Sequence, residues 1–116
     1  MTSREQYDRL IAAYVKAHEE GNENAIGRLF TENAILLAPG HLPTQGRQSI
    51  QEIYKKEHMG DGVELAITVK EFQDNGEILY GAGTFEAAEG SGNFLDIIHR
   101  QADNSFLYHV IIWNDH

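Results

Sequence analysis

The chain has 116 residues, 41% hydrophobic and 23% charged, which suits one folded domain with a real core and excludes a disordered chain. Nine basic residues against 18 acidic ones give a net charge of −9, which repels phosphate backbones and anionic lipid and argues against nucleic acid or a membrane surface as partner. There are no cysteines, so disulfides, thiolate metal sites and thiol nucleophiles are excluded.

No window reads as a transmembrane span, and the start MTSREQYDRL carries no apolar signal region, so the expected location is cytoplasmic. No repeat, linker or low-complexity tract divides the sequence, and residues 1–116 read as one domain. Residues 3–20 predict a helix. Tyr7, Leu10, Ile11, Tyr14, Val15 and His18 share one face, Ser3 with Gln6 suits a capping box, and Gly21 suits the stop. A second helix is expected from about 23 to 31, capped by Asn22, with Ile26, Leu29 and Phe30 on its apolar side. A strand over 33–38 ends at Pro39-Gly40, and 41–45 reads as a short extended piece. A third helix over 47–58 buries Ile50, Ile53 and Tyr54, with Gly60 just past its end.

From Val63 the period changes to two: Val63, Leu65, Ile67 and Val69 alternate with polar or small residues. Asp74-Asn75-Gly76 predicts a hairpin with a type I′ turn, returning over 77–88. Gly81 and Gly83 inside that strand point to a bulge or a close backbone approach. Glu89-Gly90-Ser91-Gly92 reads as the next turn. A last hairpin, NFLDIIHRQADNSFLYHVIIWN over 93–114, turns at Ala102-Asp103-Asn104-Ser105. Helices followed by a long antiparallel meander make an α+β domain.

Asp96 is the one acidic residue in the apolar part of this hairpin, and a buried carboxylate is costly unless paired, hydrogen-bonded or protonated. With two or four residues in the turn, Asp96 pairs with Ile111 and Ile98 with His109. Asp96, Ile98, His109, Ile111 and Trp113 then share a face. Asp96 and His109 become diagonal neighbours about 7–8 Å apart. An odd loop reverses that parity. The other face carries Leu95, Ile97, His99, Tyr108, Val110 and Ile112. With no helices left to cover it, a second subunit is expected there.

The segments AHEEGNENAIGRLFTENAILLAP, QGRQSIQEIYKK and the final VIIWN resemble the nuclear transport factor 2-like superfamily, which includes ketosteroid isomerases and SnoaL-like polyketide cyclases. The resemblance spans nearly the whole chain and implies a cystatin-like cone. A strongly curved antiparallel sheet wraps around three N-terminal helices and a pocket, and dimers form through the outer sheet face. Carried over residue by residue, Tyr14 falls where ketosteroid isomerases keep the oxyanion-hole tyrosine. Asp96 falls on their protonated aspartic acid, a carboxyl held neutral by an apolar site. Tyr54 matches a supporting tyrosine and Trp113 an aromatic pocket wall. The general-base aspartate is replaced by Ala38, ahead of Pro39, so steroid isomerisation is rejected as the literal function. SnoaL-like cyclases place an acid–base group on the later strands, a part open to Asp96 and His109.

The resulting expectation is a small-molecule pocket protein of the isomerase, cyclase or lyase kind. Asp96, Tyr14 and His109 are its candidate catalytic residues, and Tyr54, Trp113, Ile98, Ile111, Phe30 and His18 its candidate pocket. The ligand is a small apolar or aromatic molecule, the protein a homodimer, and neither cofactor nor metal is expected. Two alternatives stay open: a non-catalytic binder, and a dimerising association module. Each residue also has a plainer reading, Asp96 as a satisfied structural carboxylate, Tyr14 as a core aromatic and His109 as a satisfied histidine.

Overall fold

A computed structural model of the chain describes residues 1–58, 64–88 and 90–116. Gly60, Val63 and Glu89, read above as helix end, strand start and turn, lie outside the described residues. Helix α1 (Ser3–Glu20) is followed by the single turn α2 (Glu23–Gly27), strand β1 (Phe30–Leu37), the short β2 (Thr44–Gln45) and helix α3 (Arg47–Ile53). From there α3 continues into a π-helical turn over Tyr54–His58. Strands β3 (Leu65–Asp74), β4 (Ile78–Ala87), β5 (Gly90–Arg100) and β6 (Phe106–Asp115) complete the chain. No helix among the described residues is long and apolar enough to cross a membrane.

The first helix starts one residue earlier in its capping than expected. Thr2 is the cap and Glu5 closes the box, because the Thr2 hydroxyl reaches the Glu5 amide at 3.1 Å. Gly21 ends it in the left-handed conformation, as expected. Helix α2 is shorter than predicted, and Phe30 opens β1 instead of closing the helix. The Leu29 carbonyl, which a longer helix would have used, accepts from the Tyr108 amide of β6 at 2.8 Å. Arg47 then anchors the Phe30 carbonyl with two hydrogen bonds at 3.0 and 2.8 Å.

One six-stranded sheet runs in the order β2-β1-β6-β5-β4-β3. It is curved and mixed: every pairing is antiparallel except β1 with β6, which is parallel, so the sheet is not wholly the meander expected. Residues from α1, α2, β1 and α3 pack on its inner face, with Tyr7, Ile26, Phe30, Leu36, Ile50, Tyr54, Leu79 and Ile98 fully buried. This is the α+β cone the sequence implied.

The turn at Asp74-Asn75-Gly76 forms where predicted, but not as type I′, since Gly76 has a positive φ and Asn75 does not. Asp74 caps the Gly76 amide at 2.8 Å and binds Arg100 and Ser3. The β4–β5 ladder extends to the pair Ala87 and Gly90, so Ser91 and Gly92 belong to β5 and not to the turn. The expectation of a bulge or close backbone approach holds at Gly83, whereas Gly81 makes room for a side chain. A side chain at Gly81 would collide with the phenol of Tyr7, and one at Gly83 with the Thr68 carbonyl. The second approach lies beside a register shift between Val69 and Glu71 in β3.

The last hairpin holds two registers. Its loop, residues 101–105, is odd in length, so the ladder starts with Arg100 opposite Phe106 and Ile98 opposite Tyr108. A bulge then takes up His109, and Ile97 pairs with Val110 and Asp96 with Ile111. The Asp96 pairing is the predicted one, whereas the Ile98 pairing is displaced by one residue.

Candidate functional site

A cavity of about 830 Å³ opens between the helices and the inner sheet face, within the size range of small-molecule sites. Each wall comes from a different element. Tyr14 and His18 come from α1, Tyr54 and Glu57 from the π-helical turn, Phe94 and Asp96 from β5, and Tyr108, Ile111 and Trp113 from β6. Pro39 and His41 follow β1 at the rim. Single-turn π geometry places Tyr54 and Glu57 on the cavity together, a recurrent use of such irregularities at sites.

Asp96 is 5% exposed. The Tyr7 hydroxyl donates to its Oδ2 at 2.7 Å, its one hydrogen-bond partner among the described residues. Burial pushes the carboxyl up to about 7, against the opposing pull of the Tyr7 hydrogen bond. Near neutral pH the group is therefore shared between a neutral acid, which donates, and a carboxylate, which accepts. Tyr14 and Tyr54 hydroxyls lie 2.6 Å apart, and the rings of Tyr14, Tyr54, Tyr108 and Phe30 pack edge-on or tilted around them. Burial holds Tyr7, which is in the core, and the three cavity tyrosines Tyr14, Tyr54 and Tyr108 above the ordinary phenol range, so each keeps its hydroxyl proton.

Six of the nine expected residues line the cavity: Asp96, Tyr14, Tyr54, Trp113, Ile111 and His18. Ile98 and Phe30 do not. Both have no exposed surface and form the core behind the wall. His109 is misplaced by the sequence reading. The bulge turns its side chain to the outer face, where Nδ1 lies 2.7 Å from the Thr31 hydroxyl and the ring stacks on His99 at 3.9 Å. His99, read as belonging to that face, does so, and burial followed by the nearby His109 holds it below the usual imidazole range.

Sequence reasoning missed Tyr7, His41 and Glu57, and it placed Tyr108 on the outer face, whereas Tyr108 lines the cavity. Tyr7 had a signal: it sits two helical turns before Tyr14 on the same face, and Gly81, paired with Asp96, leaves the space its hydroxyl enters. Tyr108 turns inward because the odd five-residue loop pairs it with Ile98, the parity reversal that an odd loop implies. The polar set can donate to, and take a proton from, an oxygen-bearing ligand. Among the described residues no group of three or more histidines and carboxylates is arranged to hold a metal ion.

No protein-family profile matches the sequence, and no curated protein matches it either. Solved structures do. A ketosteroid isomerase-like protein from Erwinia carotovora atroseptica superposes with a TM-score of 0.78 at 14% identity, covering 98% of both chains. An NTF2-like protein with a cystatin-like fold from Novosphingobium aromaticivorans gives 0.80 at 16% identity, over 95% of this chain and 79% of the other. A Catenulispora acidiphila protein in complex with S-DNPA gives 0.79 at 18% identity, over 97% and 92%.

The chain has the nuclear transport factor 2-like fold. At these identities the likeness concerns the fold, and the site must be argued from its own residues. Within the nuclear transport factor 2-like frame the end of β1 faces the cavity through Pro39, while Ala38 is buried beside it with only a methyl group to offer. The position where the sequence resemblance puts a general base thus offers no acid–base group, while Asp96, Tyr14, Tyr54 and Tyr108 line the cavity.

Proposed function

We propose that this protein binds a small, largely apolar molecule carrying a ketone, enol or phenol oxygen, and that Asp96 and the cavity tyrosines hold that oxygen. The observation that carries the reading is a 95%-buried carboxyl, poised near neutrality, on the wall of an otherwise aromatic cavity. A neutral carboxylic acid donating to a developing oxyanion stabilises enolate-like charge, and removal of such a donor costs about 2.7–4 kcal/mol of barrier. The Catenulispora acidiphila protein of the same fold is in complex with S-DNPA, which supports a ligand-binding role.

The second reading, a binder without catalysis, is favoured by two observations: Ala38 offers no base and His109 points away. A homodimer belongs to the proposal as well. Leu95 and Ile112, paired across the outer face, are 38% and 39% exposed, and Ile97 and Val110 lie beside them. The test of the oxygen-binding reading is titration with 2-naphthol, an enol analogue. The parent is expected to bind it, and Asp96→Asn to bind about 10- to 100-fold more weakly, the worth of one hydrogen bond to a charged or ionisable group. Equal binding by parent and variant overturns the reading.

A further inference from the structure

The turn between β3 and β4 lies outside the cavity, since none of Asp74, Asn75, Gly76 and Arg100 lines it. Its centre is the single Asn-Gly step of the chain, and Asn75 and Gly76 are both exposed. The Asp74 carboxylate reaches across Asn75 and accepts from the Gly76 amide through Oδ1 at 2.8 Å. Its other oxygen, Oδ2, accepts from the Arg100 guanidinium at 2.9 Å and from the Ser3 hydroxyl. Arg100 Nε also donates to the Gly76 carbonyl at 2.9 Å, and its guanidinium lies 5.0 Å from the centre of the Phe106 ring. One carboxylate and one guanidinium thus tie α1, the β3–β4 turn and β5 together around a single glycine. The Ser3 hydroxyl, followed by the Gly76 amide, holds Asp74 below the usual carboxylate range, so it is ionised and accepts at neutral pH.

We infer that Asn75-Gly76 is a self-modification site, at which the Gly76 amide closes on the Asn75 side chain and converts it to aspartate and isoaspartate. The reaction consumes only water. The Gly76 nitrogen forms a bond to Asn75 Cγ, its proton leaves by way of the Asp74 carboxylate, and the side-chain nitrogen departs as ammonia. Water then opens the five-membered imide at either carbonyl carbon. One opening gives aspartate. The other gives isoaspartate, in which the main chain runs through the former side chain and is one methylene longer. Glycine has no side chain to crowd the attacking nitrogen, and a Cβ at Gly76 would meet nothing within 4 Å, so the space around the step is open. The N–H lies in the peptide plane, so a carboxylate bonded to it leaves uncovered the faces of the nitrogen from which attack comes. By contrast, the side chains of Asn22, Asn24, Asn93 and Asn114 are each held in hydrogen bonds.

A second Asp-Asn turn is an internal reference. Asp103 Oδ1 reaches across Asn104 and accepts from the Ser105 amide at 3.0 Å, in the same pattern. There the attacking nitrogen carries a side chain, and the same carboxylate oxygen is shared with the Ser105 hydroxyl at 2.6 Å. Asn75 is therefore the faster of the two. The effect of conversion falls on the clamp around Gly76. The extra methylene displaces Gly76 from Asp74 and Arg100, and the new carboxylate competes with Asp74 for the guanidinium. Both loosen the link between the turn and β5. Modified molecules are thus a less stable population that accumulates with age, with the cavity residues untouched.

The experiment incubates the whole chain at pH 8 and body temperature. Anion exchange separates the more acidic fraction, and peptide mapping with an isoaspartate-specific methyltransferase locates the change. The parent is expected to gain one negative charge with time, as aspartate and isoaspartate at position 75, before any change at Asn104. Asn75→Gln, whose ring would have six members, is expected to gain no charge in that time. Asp74→Ser is expected to slow conversion about tenfold, below the usual worth of a general base because Asp74 is a weak one. The separated acidic fraction is expected to melt at least about 3 °C below the unmodified parent. A parent whose charge stays constant, or an Asn75→Gln chain that gains charge at the parental rate, overturns the site. Parental conversion in Asp74→Ser overturns the part given to the carboxylate. An acidic fraction that melts with the parent overturns the effect on the clamp.

Discussion

The Tyr7 hydroxyl donates a 2.7 Å hydrogen bond to Asp96 Oδ2, joining the first helix to the fifth strand across 89 positions of sequence. The glycine at 81, directly opposite Asp96 in the ladder, is what lets the phenol reach it. This contact stabilises the ionised carboxyl, and burial opposes it more strongly, so Asp96 settles near neutrality.

The first prediction concerns stability against pH. Asp96 is raised in the folded state from the ordinary 3.8 to about 7. Between those values the folded chain binds a proton that the unfolded chain has lost, so stability falls as pH rises through this window and levels off above it. At about 1.4 kcal/mol per unit the full effect is about 4 kcal/mol. Urea unfolding at pH 5 and pH 8 is expected to show the parent more stable at the lower value, and Asp96→Asn nearly indifferent. A parent with no slope across this window contradicts the prediction.

Tyr7→Phe removes the donor and leaves the carboxyl buried without it. The expected cost is about 1–3 kcal/mol above pH 7, where the group is charged, and less at pH 5. The titration of Asp96, followed by carboxyl carbon NMR, moves further upward. If the resonance titrates as in the parent, the bond does not control the group.

Gly81→Ala is expected to destabilise the fold by about 1–3 kcal/mol, the usual range for overpacking, because its methyl group meets the Tyr7 ring. Combined with Tyr7→Leu, the loss is expected to be smaller than the sum of the two single losses. Additive losses would mean the two residues do not share that space.

The proposed dimer makes a separate prediction. Leu95→Lys with Ile112→Glu places charges on the outer face without touching the cavity. Light scattering at micromolar concentration is expected to give a dimer for the parent and a monomer for the double variant. A monomeric parent removes the outer face from consideration as an interface.

The sequence carried the fold because its strongest signals are local. The heptad-spaced face of α1, the Gly21 stop, the Pro39-Gly40 break and the alternation after Leu65 each depend on near neighbours, and each appears in the structure. The site was legible in part. Tyr14, Tyr54, Asp96, Ile111, Trp113 and His18 reach the cavity because their elements keep a regular period around them. What failed depended on irregularity. One parity for the whole hairpin points His109 inward and Tyr108 outward, which the odd loop and the bulge reverse, and the apolar side read for α2 takes in Phe30, which opens β1. His41 and Glu57 meet through a tight turn and a π-helical turn, neither of which has a period to read.

The bulge at His109 has one more consequence. Phe106, Tyr108, Ile111 and Trp113 all face inward, although the step from 108 to 111 is odd and strict alternation forbids it. The surplus residue absorbs that mismatch and bends the strand as it does so. Excising His109 would leave the same aromatic side chains pointing inward on a straighter strand, and a straighter strand encloses a narrower space. The breadth of the cavity thus depends on a residue that does not line it.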